Sequence, residues 1–364
     1  MMRIALLRNS PFGIQTGHDK ALLELVKMFK SKYHTKILAF SFGKEDAIRK
    51  SNEIKEQIIR RGLFAQNRML KKLVDFNPHV VIVFDRLLAD IAQKYFKARK
   101  GKANIIILTD SPDVIYNFAL NIDYMHIPRL LKALIKYIYL WRQIRIYKKM
   151  AETATHIILP TKEDRASLLS LMPQAKNKSY VMQLLPFKKV SSRPIKRIKK
   201  IFFAGACNYP PNKEAVYIIE EKIAPFLPDK EFYIVGLGCS KRSYNNFHCL
   251  GEVSNKELTR LLESSDVCIA PLMHGTGLKS KVLEYLRYGK PVIGTHIAFQ
   301  GFAAKNYFNA IIEDDPEKFA EHIKRLDSNP ALISKIQRNL PTILNKFSKK
   351  KLEKEFARLC RNLV

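Results

Sequence analysis

Apolar and polar positions alternate in two rhythms along this 364-residue chain. Short apolar runs, "RIALL" (3–7), "TKILAFSF" (35–42), "HVVIVF" (79–84), "NIIILTD" (104–110) and "THIILPT" (155–161), read as strands. Between them lie stretches where apolar residues recur at helical spacing. These are "GHDKALLELVKMFKSKY" (17–33), a long basic helix after Phe42, "DRLLADIAQKYFKARK" (85–100) and a long basic segment after Asp110. Strand followed by helix, repeated, predicts a parallel sheet with helices on both faces.

The rhythm breaks at "LPFKKVSSRPIKRIKK" (185–200), whose prolines, serines and basic residues read as an interdomain linker. It then restarts with strands "KIFFAGA", "EFYIVGLG", "FHCLGEV", "DVCIAPL", "KPVIGTHI" and "NAIIEDD". Helices "NYPPNKEAVYIIEEKIAPFL" and "NKELTRLLESS" fall between them, the first marked by Pro and Asn ahead of its periodic stretch. The expected fold class is α/β, with two doubly wound Rossmann-like domains facing across a cleft. Their expected bounds are 1–190 and 197–340. Such sheets bind ligands outside the carboxyl ends of their strands.

Charge adds an asymmetry. The net charge is +31, and residues 1–200 hold 40 Lys and Arg against 15 Asp and Glu. An anionic surface partner for the first half is one reading; a uniformly lysine-rich surface is the other. The five cysteines, Cys207, Cys239, Cys249, Cys268 and Cys360, are scattered without metal-ligand spacing and read as free core thiols in a reducing compartment. The apolar run Ile4–Leu7 is too short for a signal-peptide core and reads as a first strand. No apolar stretch approaches the roughly 20 residues that span a bilayer.

Candidate chemistry concentrates in "HGTGLKSKVLEYLRYGKPVIGT" (274–295). Gly275 and Gly277 flank Thr276 directly after a strand, where glycines let backbone approach a ligand and a helix start offers N–H groups. Lys279 and Lys281 stand at the same end, against the preference of the helix dipole, unless an anion meets them. Glu284 follows, facing inward by its spacing. A phosphate or diphosphate is the natural occupant, with Glu284 set back to accept from ribose hydroxyls. The plain alternative is a glycine turn before an amphipathic helix with solvated lysines. "GTGLKS" is not a Walker loop, and "GLGCSKRS" lacks the third glycine of a dinucleotide fingerprint, which disfavours hydride transfer.

The run from "FFAGACNYPPNKEAV" through "FYIVGLG", the 274–295 motif and "GFAAKNYFNAIIEDDPEKFAEHI" resembles the C-terminal half of the GT-B glycosyltransferases. More narrowly it resembles the retaining group called glycosyl transferases group 1. The first half matches more loosely, through "SPFGIQTG" and "YKKMAETATHIILPTKEDRASL". The resemblance implies transfer of a sugar from a nucleotide-diphosphate sugar, bound mainly by the second domain, to an acceptor held mainly by the first. It implies no cofactor and no metal. It also implies that the last helix, about 345–364, returns to the first domain.

Position by position, the family's Glu-x7-Glu motif puts its ribose carboxylate on Glu284. Its sugar-contacting carboxylate falls on Thr276, a departure from the pattern. The family's diphosphate cations correspond to Lys279 or Lys281 and to Lys213. Gly205, Asn208, Gly275, Gly277 and Leu278 complete the implied donor site. Asp110 and Lys279 are the catalytic candidates, with Asp113 second to Asp110 and with Gly13 and Gly17 facing the cleft from the first domain. Capping of a turn before Pro112 explains Asp110 equally well. His18 and His274 lie near the expected cleft and read as structural.

"PRLLKALIKYIYLW" (128–141) carries Arg129, Lys132 and Lys136 on one side and Leu130, Leu131, Leu134, Ile135, Ile138 and Trp141 on the other. That is an interfacial basic helix or, equally, a core helix over the sheet; a break is expected near residue 141. With the charge asymmetry it points to anionic lipid. No nucleic-acid module accompanies the charge. The expectation is therefore a cytoplasmic enzyme, peripheral on the inner membrane face, with a glycan or glycolipid acceptor. Two alternatives stay open: a nucleotide-sugar epimerase of the same fold, and a non-catalytic basic protein that binds membranes or polyanions.

Overall fold

A computed structural model describes residues 1–8, 17–43, 55–60, 64–84, 88–109, 128–183 and 193–361; of 17–24, 42–43 and 55–60 it describes the backbone only. The chain divides into two units, Met1–Pro186 with Leu352–Val364, and Phe187–Lys351.

In the first unit the continuous apolar runs become the centre of a parallel sheet, whose strands are buried on both faces. Its strands are β1 (Met2–Arg8), β2 (Thr35–Gly43), β3 (Lys55–Arg60), β4 (Val80–Val83), β5 (Asn104–Leu108), β6 (His156–Leu159) and β7 (Ser179–Val181). They lie in the order β3-β2-β1-β4-β5-β6-β7, all parallel. Alternate residues serve opposite faces. Ala5, Leu7, Val81, Val83, Ile105 and Ile107 pack with Met69, Leu73, Tyr95, Tyr147 and Met150 from helices Ala65–Phe76, Ala89–Ala98 and Arg129–Thr153. Ile4, Leu6, Val80, Ile82 and Ile106 pack on the other face with Leu25 and Phe29 of helix Gly17–Lys32. The C-terminal helix Lys349–Cys360 closes that face with Leu352, Phe356, Leu359 and Cys360, and Phe356 meets Phe29 edge-to-face at 4.8 Å between centroids.

Two expectations fail in this unit. The long basic helix after Phe42 is replaced, within the described residues, by edge strand β3 and the shorter helix Ala65–Phe76. "KEQIIR" is too polar to announce a strand, and its register on β2, Leu38 beside Lys55 to Gly43 beside Arg60, supplies the hydrogen bonds that decide it. The break near residue 141 does not occur either, and helix Arg129–Thr153 runs through. Its second half buries Gln143, Tyr147 and Met150, and Lys149 pairs with Asp90. Its first half turns the apolar side outward: Leu130 is 85 % exposed, with Leu134, Tyr137, Ile138 and Trp141 exposed along the same stripe. No helix among the described residues is long and apolar enough to cross a membrane.

The second unit holds β8 (Lys200–Ala204), β9 (Glu231–Val235), β10 (Arg242–Tyr244), β11 (Phe247–Gly251), β12 (Val267–Ala270), β13 (Val292–Gly294) and β14 (Ile311–Ile312). The order is β10-β11-β9-β8-β12-β13-β14, parallel except for β10 on β11. The linker's last residues are part of this unit. Arg193 reaches Asp266, and Ile195 and Ile198 are buried. Asp327 gathers Arg197 (2.8 Å), Lys230 (2.7 Å) and the Ile198 N–H (2.8 Å).

Those donors hold the Asp327 carboxyl well below the usual carboxylate range, despite the opposing effect of burial. Asp327→Asn is therefore expected to cost about 2 kcal/mol at neutral pH, checked by urea unfolding. A depressed folded value means that the contribution is present above the ordinary carboxylate range and drains away as pH falls through the folded value. In acid the variant and the parent should converge.

Candidate functional site

In the second sheet the strand order reverses between β8 and β12, the position where doubly wound sheets open a crevice at their carboxyl ends. Two loops leave that point. One follows β8 through Gly205 to Tyr209 and enters helix Pro210–Ile218; the other follows β12 and enters helix Ser280–Arg287. Gly205 stands on the first of these loops, and Gly275 and Gly277 on the second.

Gly205 is required by close approach. A Cβ built there would lie 2.8 Å from both Lys281 Nζ and Asn212 Cγ. The neighbouring Gly236 is tighter still, since a Cβ on it would meet the Gly205 carbonyl oxygen at 1.9 Å. Gly275 and Gly277 both adopt positive φ, 125° and 71°, which side chains resist, and so fold the loop back around Thr276. Lys279 caps that loop by donating to the Gly277 carbonyl at 2.8 Å. No side chain caps the start of helix Ser280–Arg287.

Lys281, in the first turn of that helix, turns its ammonium toward the end of β8 and the helix that follows it. Nζ donates to Asn212 Oδ1 and stands 4.4 Å from the centroid of the Phe203 ring. Asn212 in turn donates to the Ala206 carbonyl at 2.9 Å. Burial of the ammonium pulls its pKa down to about 7, with the charge of Lys279 pushing the same way. A cation enclosed against glycine backbone, an amide and a ring face gains most from an arriving anion, which restores its proton and its counter-charge. Tyr285, buried on the same helix, accepts from the Ala204 N–H at 2.7 Å and fastens the helix to the end of β8.

Glu284 differs from its expected setting. It is half-buried on the face shared with Lys281, not inward among the leucines, and it pairs with Arg287 at 3.1 Å. Val282, Leu283, Tyr285 and Leu286 occupy the buried side instead. The i, i+3 spacing of Glu284 and Arg287 was the available signal for the pair. Asn212 and Tyr285 are site residues that sequence reasoning missed, because an interior Asn and an interior Tyr carry no local mark of what they will touch.

Of the remaining candidates, Thr276 and Leu278 are half-buried on the loop, and Asn208 and Lys213 are exposed at the start of helix Pro210–Ile218. His274 is exposed, 3.9 Å from Glu214. Gly17 is the first residue of helix Gly17–Lys32, with His18 beside it. Gly13, Asp110 and Asp113 lie outside the described residues.

The expectation of five free thiols is overturned. Cys207, on the loop after β8, is disulfide-bonded to Cys239, on the loop after β9; Cys249, Cys268 and Cys360 are free and buried. The partners are 32 residues apart, so spacing alone did not reveal them. Among the described residues no group of three or more His, Cys, Asp or Glu side chains is gathered to hold a metal ion.

Residues 198–329 match a family model described as Glycosyl transferases group 1. No curated protein matches the sequence significantly. Solved structures resemble the chain over its whole length. Sucrose-phosphate synthase from Thermosynechococcus elongatus has a TM-score of 0.74 at 13% identity, covering 100% of this chain and 99% of that one. Anabaena Alr3699/HepE in complex with UDP-glucose has a TM-score of 0.72 at 13% identity, covering 99% of this chain and 100% of that one. The lipopolysaccharide outer core galactosyltransferase WaaB gives 0.65 at 12% identity, with 100% of both chains covered. The chain therefore has the GT-B fold, and its residues 198–329 are similar to the glycosyl transferases group 1.

Proposed function

We propose that the protein is a glycosyltransferase that takes a sugar from a nucleotide-diphosphate donor and passes it to a membrane-associated glycan or lipid acceptor. The observation that carries this reading is the enclosed Lys281 ammonium at the carboxyl ends of β8 and β12, beside Gly205 and Asn212. It offers an ammonium, fully protonated as the anion arrives, where a diphosphate approaches glycine backbone. Support comes from the family match over that segment and from the Anabaena structure, whose own ligand is UDP-glucose.

In this reading the second unit binds the donor and the first binds the acceptor. Lys281 and Lys279 stabilise the leaving diphosphate electrostatically, so the transfer runs without a metal. Gly275, Gly277 and Leu278 shape the loop around it, and Thr276 meets the sugar. Asn208 and Lys213 border the same loop region. Glu284, oriented by Arg287, accepts from the ribose hydroxyls. Asp110 serves at the reacting sugar, with Gly13, Gly17 and Asp113 on the acceptor side. Retention of configuration is what the family resemblance implies.

For the acceptor, the outward apolar stripe of helix Arg129–Thr153, beside exposed Arg142 and Arg145, fits an anionic lipid surface. A peripheral position on the cytoplasmic membrane face follows. Among solved relatives, one acts in the lipopolysaccharide outer core.

The ribose role has a direct test. Glu284→Ala is expected to weaken nucleoside diphosphate binding about tenfold by calorimetry, the loss of a charge-assisted hydrogen bond. Unchanged affinity removes Glu284 from the site. For the activity itself, purified protein incubated with a panel of nucleotide sugars and membrane acceptors should release the nucleoside diphosphate only when acceptor is present. Epimerised nucleotide sugar without acceptor would replace this reading with the epimerase.

A further inference from the structure

The Cys207–Cys239 bridge joins the loop after β8 to the loop after β9. Its Cα atoms are 5.0 Å apart, and the Cys207 N–H donates to the Leu237 carbonyl at 2.8 Å. Gly205, two residues before Cys207, packs its carbonyl against Gly236, and the Cys239 sulfur lies 3.4 Å from the Gly205 carbonyl oxygen. Gly205 is also the residue over which Lys281 Nζ and Asn212 close. The bridge is thus one residue layer from the cation that the anion is to meet.

The two bridged residues differ in exposure. Cys207 is half-buried and Cys239 is buried. The three other cysteines are buried free thiols, and burial pushes the Cys268 and Cys360 thiols up, keeping them protonated and unreactive. Exchange chemistry therefore concentrates on the one disulfide, whose more exposed residue is Cys207. A disulfide that an outside thiolate can approach is one that exchange can break and remake.

We propose that Cys207 and Cys239 form a thiol–disulfide exchange site that sets the donor affinity of the crevice beside it. The proposal rests on the reading of that crevice as the nucleotide-diphosphate site. The partner is a dithiol reductant. One of its thiolates attacks the Cys207 sulfur, and Cys239 leaves as a thiolate that takes up a proton. The second thiol of the reductant then attacks the mixed disulfide, Cys207 leaves and is protonated, and the reductant departs as its own disulfide. Two electrons and two protons pass to the protein.

With the bridge intact, the loop 205–209 is pinned to the loop 236–239, and the wall around Lys281 is preorganised. Without it, that ordering has to be supplied at binding, which lowers affinity. The bridged form is the tighter binder.

The test is calorimetric titration with UDP, GDP, ADP and TDP of three samples: oxidised protein, protein reduced with dithiothreitol, and reduced protein reoxidised. The expected result is about tenfold weaker binding after reduction, restored on reoxidation. A Cys207→Ser/Cys239→Ser variant should match the reduced form and ignore the reductant, with its far-ultraviolet dichroism retained. Equal affinity in both redox forms overturns the switch and leaves the donor site standing, even if the melting temperature falls. Failure of mass spectrometry to find the 207–239 linkage in oxidised protein also overturns it. If none of the four nucleotides binds either form, the donor reading falls and takes the switch with it.

Discussion

Replacing Lys281 by methionine is expected to weaken nucleoside diphosphate binding about 100-fold, the loss of a buried charge-assisted contact worth roughly 3 kcal/mol. Methionine keeps an unbranched side chain, one heavy atom shorter and without the charge that stands over the Phe203 ring. Two effects on folding oppose one another in this variant. The cost of desolvating an ammonium disappears, while Asn212 Oδ1 loses the donor it has now. The melting temperature should consequently change little, which separates lost binding from lost structure.

The same residue sets a pH dependence. The folded pKa of Lys281, about 7, lies below the ordinary lysine value. In the unliganded protein this group adds stability as pH rises from about 7 toward that ordinary value, because the unfolded chain then holds the extra proton. Anion binding runs the opposite way. A bound diphosphate favours the protonated amine, so above pH 7 each binding event must take up a proton. Affinity is expected to fall by up to about tenfold per pH unit over that interval. Titrations in buffers of different ionisation enthalpy should register the proton uptake. In Lys281→Met the uptake should vanish, and an unaltered profile there would assign the proton to another group.

The second large effect is expected at the first unit. Leu134→Glu with Ile138→Glu should reduce binding to vesicles containing anionic phosphatidylglycerol at least about 100-fold in a sedimentation assay. Each of these side chains contributes roughly 1.5–3 kcal/mol when it leaves water. Each is already 53 % exposed, so the fold loses little when they are replaced. A parent protein that ignores anionic vesicles would dismiss the membrane reading while leaving the donor site untouched. Arg142→Glu with Arg145→Glu, both exposed beside the stripe, should act differently, weakening the preference for anionic over neutral lipid while leaving the apolar contribution in place. Raising the salt should mimic the charge change and spare the apolar one.

Much of this molecule could be read along the chain. Central strands such as β4 and β12 are uninterrupted apolar runs, and a residue's burial on both faces of a parallel sheet follows from its neighbours' hydrophobicity. The strand–glycine loop–helix succession from β12 to Arg287 was legible for the same reason, since it depends on residues close in sequence. Strand β3 was not, because a polar edge strand exists only through its partner β2. Nor was the outward turn of Leu130–Trp141: periodicity defines an apolar stripe but not which side of it the rest of the unit will cover.

The site divides along the same line. Glycines, lysines and the carboxylate at a helix mouth sufficed to name an anion as the occupant, and order along the chain sufficed for two doubly wound halves. Folding alone brought Lys281 to Asn212, 69 residues away, and Cys207 to Cys239, 32 residues away. It also exchanged the expected inward carboxylate for a half-buried Glu284–Arg287 pair. Local periodicity reports the free energy of placing a residue on a face. The contacts that perturb a lysine or join two thiols are set by which strands the sheet makes adjacent, and that is a property of the whole packed unit.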